Sequence, residues 1–166
     1  MTLERREDER GFFARNWCSR EFAAHGLSRN LAQSSLSSSP RRGTLRGLHY
    51  QVAPHQEAKL ITCVRGSIWD VIVDLRPASP TCLQWYGQTL DDTSLSSVYV
   101  PEGFAHGFLT LSDDTLVLYQ ISAYRSPEHA RGVRWDDPAF DIQWPFAPLI
   151  IGARDRSYPD YTTDVT

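Results

Sequence analysis

The sequence is poor in cysteine and has no long apolar run, and both features limit the kind of protein it encodes. Its three cysteines, Cys18, Cys63 and Cys82, lie far apart and form no CxxC pair. This argues against a disulfide framework or a cysteine zinc site and for reduced thiols in a cytoplasm. No apolar run approaches the roughly 20 residues that span a bilayer, and the charged start MTLERREDER lacks the apolar core of a signal peptide. We therefore expect a cytoplasmic protein without a membrane partner.

Lysine is nearly absent as well. Sixteen of the 17 basic residues are arginine, and Lys59 is the only lysine, a bias that the base composition of a genome can produce by itself. The formal net charge of −3 argues against a nucleic-acid partner, which would require a basic surface. With 41% hydrophobic and 22% charged residues, the composition is that of a folded globular chain, and 166 residues suit one domain over 1–166.

From Thr44 onward, short apolar runs alternate with turn residues, which is typical of an antiparallel β protein. The runs recur about every ten residues and are separated by proline, glycine and aspartate. The predicted strands cover residues 60–64, 68–75, 83–90, 96–100, 107–111 and 116–123. This spacing, with almost no helix between the strands, predicts an all-β sandwich or barrel.

The remaining segments are assigned from their composition. Residues 17–26 have loosely helical apolar spacing and end on a glycine, which predicts a short helix. Residues 1–9 are charged, and we expect them to be flexible unless another chain holds them. The polar residues 34–42 predict a loop, and the stretch from Ser126, rich in proline, aspartate and tryptophan, predicts extended arms and loops.

One predicted strand places acidic residues on an otherwise apolar face. In residues 68–75, alternation brings Ile68, Asp70, Ile72 and Asp74 to the same side. The pattern indicates either a barrel interior with a polar site or a face that is half exposed to water.

Two side chains are candidates for proton chemistry from their own contexts. His49 shares a strand face with Gly47, where an imidazole can act as a base near neutral pH. A hydrogen-bonded structural histidine is the commoner alternative. Lys59 lies at the start of a buried strand and can stabilise negative charge on an oxygen, although a solvated strand-end lysine is commoner.

His106 raises the question of a metal. It lies in a turn that leads into a strand, within a stretch that resembles the second metal motif of cupin barrels. A metal cupin usually also has two histidines separated by one residue, and the corresponding place here reads His49-Tyr50-Gln51. We therefore expect no metal. By their contexts alone, Tyr119 is an ordinary core tyrosine and Asp155 an ordinary loop acid.

Seven motifs, taken together and in order, resemble the dTDP-4-dehydrorhamnose 3,5-epimerase family, a group of cupin-type sugar-nucleotide epimerases. They are DERGFF (8–13), GTLRGLHYQ (43–51), KLITCVRGSIWDVIVDLR (59–76), SPT (79–81), YVPEGFAHGF (99–108), WDDP (135–138) and IQWP (142–145). The resemblance extends over nearly the whole chain.

The resemblance implies an antiparallel jelly-roll barrel of the cupin type, with short helical segments and extended terminal arms. It also implies a homodimer whose N-terminal segment reaches the partner, and a reaction that uses neither a metal nor another cofactor. That reaction inverts C3 and C5 of a dTDP-4-keto-6-deoxyhexose, on the route to dTDP-L-rhamnose. A carbon next to the C4 ketone can lose its proton as an enolate if a base is present and the oxygen's charge is stabilised.

The family pattern assigns the reacting groups residue by residue. His49 matches the base, and Asp155 matches the carboxylate that orients it and stabilises its charge. Lys59 matches the cation that faces the enolate oxygen. Tyr119 matches the acid that returns a proton from the opposite face of the sugar ring.

Substrate contacts follow from the same resemblance. Arg10, Gln33 and Arg46 match substrate-contacting positions, and arginine can bind a diphosphate through two hydrogen bonds at once. His106 matches an interior histidine of the site. Ser35 stands where the family usually has asparagine.

Three alternatives stay open at this point. The chain can be a 3-epimerase of a deoxysugar or antibiotic pathway, in which the same residues act at C3 only. It can be a metal-dependent cupin isomerase or dioxygenase. Because of Ser35, it can also be a relative that binds sugar nucleotides without turning them over.

Overall fold

Strands make up most of the regular structure, as the short alternating runs predict. The computed structural model describes residues 1–162, so the last four residues of the predicted domain 1–166 lie outside the described residues. The first elements are β1 (Arg5–Asp8), β2 (Gly11–Ala14), α1 (Ser19–Ala24), β3 (Gln33–Ser39), β4 (Thr44–Gln51), β5 (Lys59–Arg65) and β6 (Ser67–Asp74). They are followed by β7 (Trp85–Asp91), β8 (Ser97–Val100), β9 (Phe104–Thr110), β10 (Thr115–Ile121), β11 (Ala130–Gly132), β12 (Ile150–Ile151) and α2 (Ala153–Arg156).

The strands form two main sheets and one separate hairpin. One sheet has the order β3-β10-β5-β8, and the other has the order β11-β4-β9-β6-β7, with β12 paired parallel to β4. Within residues 1–162, all other pairs are antiparallel, and β1 pairs only with β2 in the hairpin. The all-β antiparallel barrel predicted from the sequence is confirmed.

An apolar core joins the two main sheets. Ile61 and Val117 from the four-stranded sheet pack in one cluster with Ile68 and Phe108 from the six-stranded sheet, and all four are fully buried. Because Ile68 points into this core, alternation also turns Asp70 inward, where it is buried. Of the two alternatives for this strand face, a barrel interior or a face half exposed to water, the barrel interior is therefore correct at Asp70.

The C-terminal part of the chain covers the outer face of the six-stranded sheet. Val71 and Val73 of β6 lie in a second cluster with Val133 and Phe140, and Trp135 and Trp144 pack against it. The predicted arms and loops from Ser126 therefore bury the side of the sheet that faces away from the barrel interior.

One expectation about the N-terminal half is wrong. The predicted polar loop over 34–42 is largely strand β3, which pairs with β10 along its whole length, from Gln33↔Ile121 to Ser39↔Thr115. Its polar composition is that of an edge strand whose side chains are mostly exposed, so backbone hydrogen bonds to β10 hold it rather than an apolar face. The start of the chain, expected to be flexible unless another chain holds it, contains β1 and pairs with β2.

Among residues 1–162, no helix is long and apolar enough to cross a membrane.

Candidate active site

A cavity of about 200 Å³ opens where strands of both sheets meet the C-terminal segment. The polar and charged residues that line it come from β3, β4, β5, β10, β11, α2 and the segments beside them. Those that can bind a substrate or transfer a proton are Gln33, His49, Glu57, Lys59, Tyr119, Arg125, Arg131 and Arg154. The structure therefore brings four of the residues nominated from the sequence to one cavity.

His49 is hydrogen-bonded to Asp155 beside this cavity. The distance from His49 Nε2 to Asp155 Oδ1 is 2.7 Å, and the backbone N–H of Gly47 donates to Asp155 Oδ2 at 3.1 Å. Burial alone would raise the pKa of Asp155, but the hydrogen bonds from His49 and Gly47 and the nearby charge of Arg154 lower it below its usual value. Asp155 is therefore a carboxylate that accepts the Nε2 proton, which leaves Nδ1 of His49 as the nitrogen that can accept one.

Asp155 reaches His49 because of a short helix and the strand pairing that precedes it. It lies in the short helix α2, which follows the parallel pairing of β12 with β4, the strand that carries His49. The pairing brings the C-terminal segment alongside β4, so the carboxylate of Asp155 lies next to His49 on that strand.

Lys59 shares the cavity with a carboxylate that sequence reasoning did not nominate. Its ammonium lies 2.9 Å from Glu57 Oε1 and donates to the backbone oxygen of His49 at 3.2 Å. The side chains of Lys59 and Glu57 are only 8% and 10% exposed. A signal was present in the sequence, since residues two apart in an extended segment point to the same side.

Tyr119 lies on the four-stranded side of the cavity, next to a buried hydrogen-bonded pair, His106 and Asp70. His106 Nε2 is 2.7 Å from Asp70 Oδ2, and the His106 ring stands edge-on to the ring of Tyr119 with centroids 5.8 Å apart. Burial raises the pKa of Tyr119, and the charge of Asp70 raises it further. The phenol therefore stays protonated at neutral pH and has a proton to donate.

The remaining nominated residues occupy three different places. Gln33 lines the cavity, and its Oε1 accepts the backbone N–H of Arg125 at 2.6 Å. The guanidinium of Arg46 is bound to β3, donating to Ser39 Oγ at 3.2 Å and to the Ser38 backbone oxygen at 3.0 Å. Arg10 does not line the cavity.

Arg10 lies in the turn between β1 and β2. Its side chain is 84% exposed and pairs with Asp8 at 2.6 Å. Within one chain, the structure does not bring Arg10 together with His49, Lys59 and Tyr119.

Three arginines are among the residues that line the cavity: Arg125, Arg131 and Arg154. The sequence carries no local signal for them, because they come from the loop after β10, from β11 and from α2. Only the pairing of β11 and β12 with β4 brings these segments to one place.

A second cavity, of about 320 Å³, lies between the N-terminal segment and α1. It is lined by Met1, Arg6, Trp17 and Phe22 among others, and by none of the residues nominated for chemistry. Among residues 1–162, no three histidine, cysteine, aspartate or glutamate side chains converge on a common point that could hold a metal ion.

Comparison with known proteins agrees with the resemblance seen in the sequence. A family model described as dTDP-4-dehydrorhamnose 3,5-epimerase matches residues 1–163. A dTDP-4-dehydrorhamnose 3,5-epimerase of Sinorhizobium fredii is 40% identical over 153 residues, which cover 92% of this chain and 78% of the relative. One of Methanothermobacter thermautotrophicus is 43% identical over 154 residues, covering 91% of this chain and 82% of the relative.

The fold is shared as well. The crystal structure of dTDP-4-dehydrorhamnose 3,5-epimerase from Bacillus anthracis, with TDP and PPi bound, superposes with a TM-score of 0.93 at 39% identity. The superposition covers 96% of this chain and 91% of that one. The predicted cupin-type jelly roll is thereby confirmed, and the chain belongs to the dTDP-4-dehydrorhamnose 3,5-epimerase family.

Proposed function

We propose that the protein epimerises C3 and C5 of a dTDP-4-keto-6-deoxyhexose by removing and returning protons next to the C4 ketone. The observation that carries this proposal is that His49, hydrogen-bonded to Asp155, lines the same cavity as Lys59 and Tyr119. Deprotonation next to a ketone needs a base, a cation for the enolate oxygen and an acid, and these are the groups present.

His49 acts as the base in this proposal. Its Nε2–H is held by Asp155, so Nδ1 takes the proton from carbon, and the resulting imidazolium is stabilised by the Asp155 carboxylate. The enolate carries its negative charge on the former ketone oxygen. Lys59, the buried ammonium of the same cavity, stabilises that charge.

Tyr119 acts as the acid. Its burial keeps the phenol protonated, so it can donate to the carbanion from the side opposite His49, and a proton that returns on the opposite face inverts the centre. A proton returned by His49 itself restores the original configuration. Exchange and inversion are therefore separable steps.

The diphosphate of the substrate is bound by the arginines of the cavity. Arg125, Arg131 and Arg154 line the cavity that contains His49, and guanidinium groups bind phosphate oxygens in pairs of hydrogen bonds. In this proposal the sugar, rather than the nucleotide, lies against His49 and Lys59.

The exchange of substrate hydrogen with solvent tests the proposal. Incubated in heavy water with a dTDP-4-keto-6-deoxyhexose, the protein is expected to incorporate deuterium at both C3 and C5, as read by NMR. His49→Ala should abolish exchange at both carbons while its circular dichroism stays that of the parent. A folded parent protein that exchanges neither position refutes the proposal, and exchange that withstands loss of His49 refutes the base assignment.

Two further arms of this experiment address the alternatives. We expect a metal chelator to leave the exchange rate unchanged, and a rate that falls with chelator and returns with iron, nickel or zinc would favour a metal-dependent cupin. Deuterium at C3 alone would identify a 3-epimerase.

We further propose that the protein acts as a homodimer, in which Arg10 serves the partner's site. The hairpin of β1 and β2 leaves Phe12 and Phe13 48% and 69% exposed, an apolar surface of the kind that protein interfaces cover.

Two inactive variants, Arg10→Ala and His49→Ala, should complement when unfolded and refolded together, because each mixed dimer regains one complete site. About a quarter of the parent's activity is then expected from random pairing. Sedimentation of the protein as a monomer, or no recovery of activity when the two variants are mixed, would overturn the homodimer proposal.

We also propose a cytoplasmic location for the protein, because its three cysteines form no disulfide. Cys18, Cys63 and Cys82 are all free, as in proteins that work under reducing conditions. We expect cell fractionation to recover the protein with the cytoplasmic fraction.

A further inference from the structure

The ammonium of Lys59 is held on two sides by its own chain. Glu57 Oε1 lies 2.9 Å from Nζ, and the backbone oxygen of His49 accepts from Nζ at 3.2 Å. An ammonium has three N–H donors. Two of them are used by these acceptors, so one is left for a group that enters the cavity.

These two contacts also link the cation to the base. The residue whose backbone receives a hydrogen bond from Lys59 is His49, whose ring is bound to Asp155. Glu57, Lys59, His49 and Asp155 therefore form one continuous set of contacts along the cavity wall. The position of the ammonium relative to the imidazole is set within this chain, before substrate arrives.

Stability alone does not account for the buried pair. Removing two opposite charges from water costs about as much as their attraction returns, so an apolar pair of the same size would hold the fold equally well. A lysine side chain, with four rotatable bonds, also loses much conformational freedom when it is held at one position. A carboxylate in this place instead determines where the ammonium points.

We propose that Glu57 is a positioning residue of the epimerase site, which acts through Lys59 by directing the remaining N–H of its ammonium toward the C4 oxygen of the substrate. This inference rests on the proposed function. Glu57 needs no contact with the reacting atoms in this role. Its contribution appears when the enolate charge develops, and it is small when the neutral ketone merely binds.

Two substitutions separate position from charge. Glu57→Gln keeps the length of the side chain and an oxygen acceptor but removes the charge. Glu57→Asp keeps the charge but draws the carboxylate back by one methylene. If Glu57 acts by position, the glutamine variant keeps a kcat within about fivefold of the parent's, whereas the aspartate variant loses about tenfold or more. KM should change less than about threefold in both, since the loss concerns the transition state.

A kcat that falls more in Glu57→Gln than in Glu57→Asp overturns the proposal. A residue that only balances the charge of a buried lysine would be replaced better by aspartate than by glutamine. Glu102→Ala is the matched control, because Glu102 is an exposed acid in the turn before β9, and its kcat and KM should equal the parent's. Thermal denaturation of each variant shows whether the folded fraction accounts for any loss.

A double-mutant cycle tests whether Glu57 acts through Lys59. In a Lys59→Met background, whose slower exchange is followed over long incubation, Glu57→Asp should cause no further loss in rate. Losses that simply multiply would show that the two side chains act independently and would refute the proposal. A parent protein without exchange activity refutes the proposed function itself, whereas an active parent with an unimpaired Glu57→Asp variant refutes only this inference.

Discussion

His49 and Asp155 are 106 residues apart in the sequence, yet their side chains meet at 2.7 Å. Each oxygen of the carboxylate has its own donor, the His49 ring for Oδ1 and the Gly47 backbone for Oδ2. The carboxylate is therefore fixed on both sides. This geometry holds the ring of His49 in one orientation and assigns its proton to Nε2.

Removing the charge of that carboxylate should slow proton abstraction strongly. Asp155→Asn keeps an oxygen for the Gly47 N–H, but it no longer stabilises an imidazolium and its amide can impose the wrong tautomer on His49. We expect kcat for deuterium exchange to fall about 10²–10⁴-fold with little change in KM. Steady-state exchange measured by NMR checks this, and a loss confined to KM would contradict the assignment.

Tyr119→Phe should separate exchange from inversion. Because His49 still removes and returns the proton on its own face, deuterium incorporation should continue at a rate within about tenfold of the parent's, whereas net inversion should fall about 10²-fold. Following the same sample by NMR for label and for configuration gives both rates. Equal losses in the two rates would remove Tyr119 from its role as the acid.

Gly132→Ala should disturb His49 indirectly, by displacing the neighbouring ring of Tyr158. Gly132 is paired with His49 across β11 and β4, and a Cβ at this position would lie 2.2 Å from ring atoms of Tyr158. The Tyr158 ring stands edge-on to His49, with centroids 6.3 Å apart. We expect a loss of about 1–3 kcal/mol in the free energy of unfolding and a lower exchange rate.

The companion variant Tyr158→Ala identifies the cause. If the clash with Tyr158 is responsible, Gly132→Ala adds no further loss of stability in a Tyr158→Ala background. Urea unfolding of the four proteins in the cycle measures this. An undiminished loss in that background would point to the backbone of β11 instead.

Stability at acid pH should depend on Asp74. Burial opposes its ionisation, but hydrogen bonds from Arg76, Ser79 and Thr81 prevail and hold the pKa of Asp74 well below its usual value. A depressed pKa contributes stability that is complete above the unfolded-state value of about 4 and is lost as pH falls toward the folded-state value.

Asp74→Asn should therefore cost about 1–3 kcal/mol at pH 7, and its difference from the parent should shrink steadily below pH 4. Urea unfolding at a series of pH values measures the gap. A gap that stays constant down to pH 2 would show that another group is responsible.

Local patterns were sufficient for much of the fold. Alternation in residues 68–75 predicted that Ile68 and Asp70 share a face, and both are buried in the barrel. Strand β3 was not predicted, because its residues are mostly polar. Its pairing with β10 is what makes it a strand. Propensity describes a segment in isolation, whereas an edge strand depends on its neighbour.

The sequence by itself determined the family, the all-β class and the residue types available for chemistry, since these follow from motif order and from the period of the strands. Only the tertiary structure decided that Glu57 lies against Lys59, that three distant arginines line the same cavity, and that Arg10 lies away from the site of its own chain. The physical reason is that proximity and burial arise from strand pairing between segments far apart in the chain. A side chain's partners and its pKa depend on those neighbours, which no local pattern specifies.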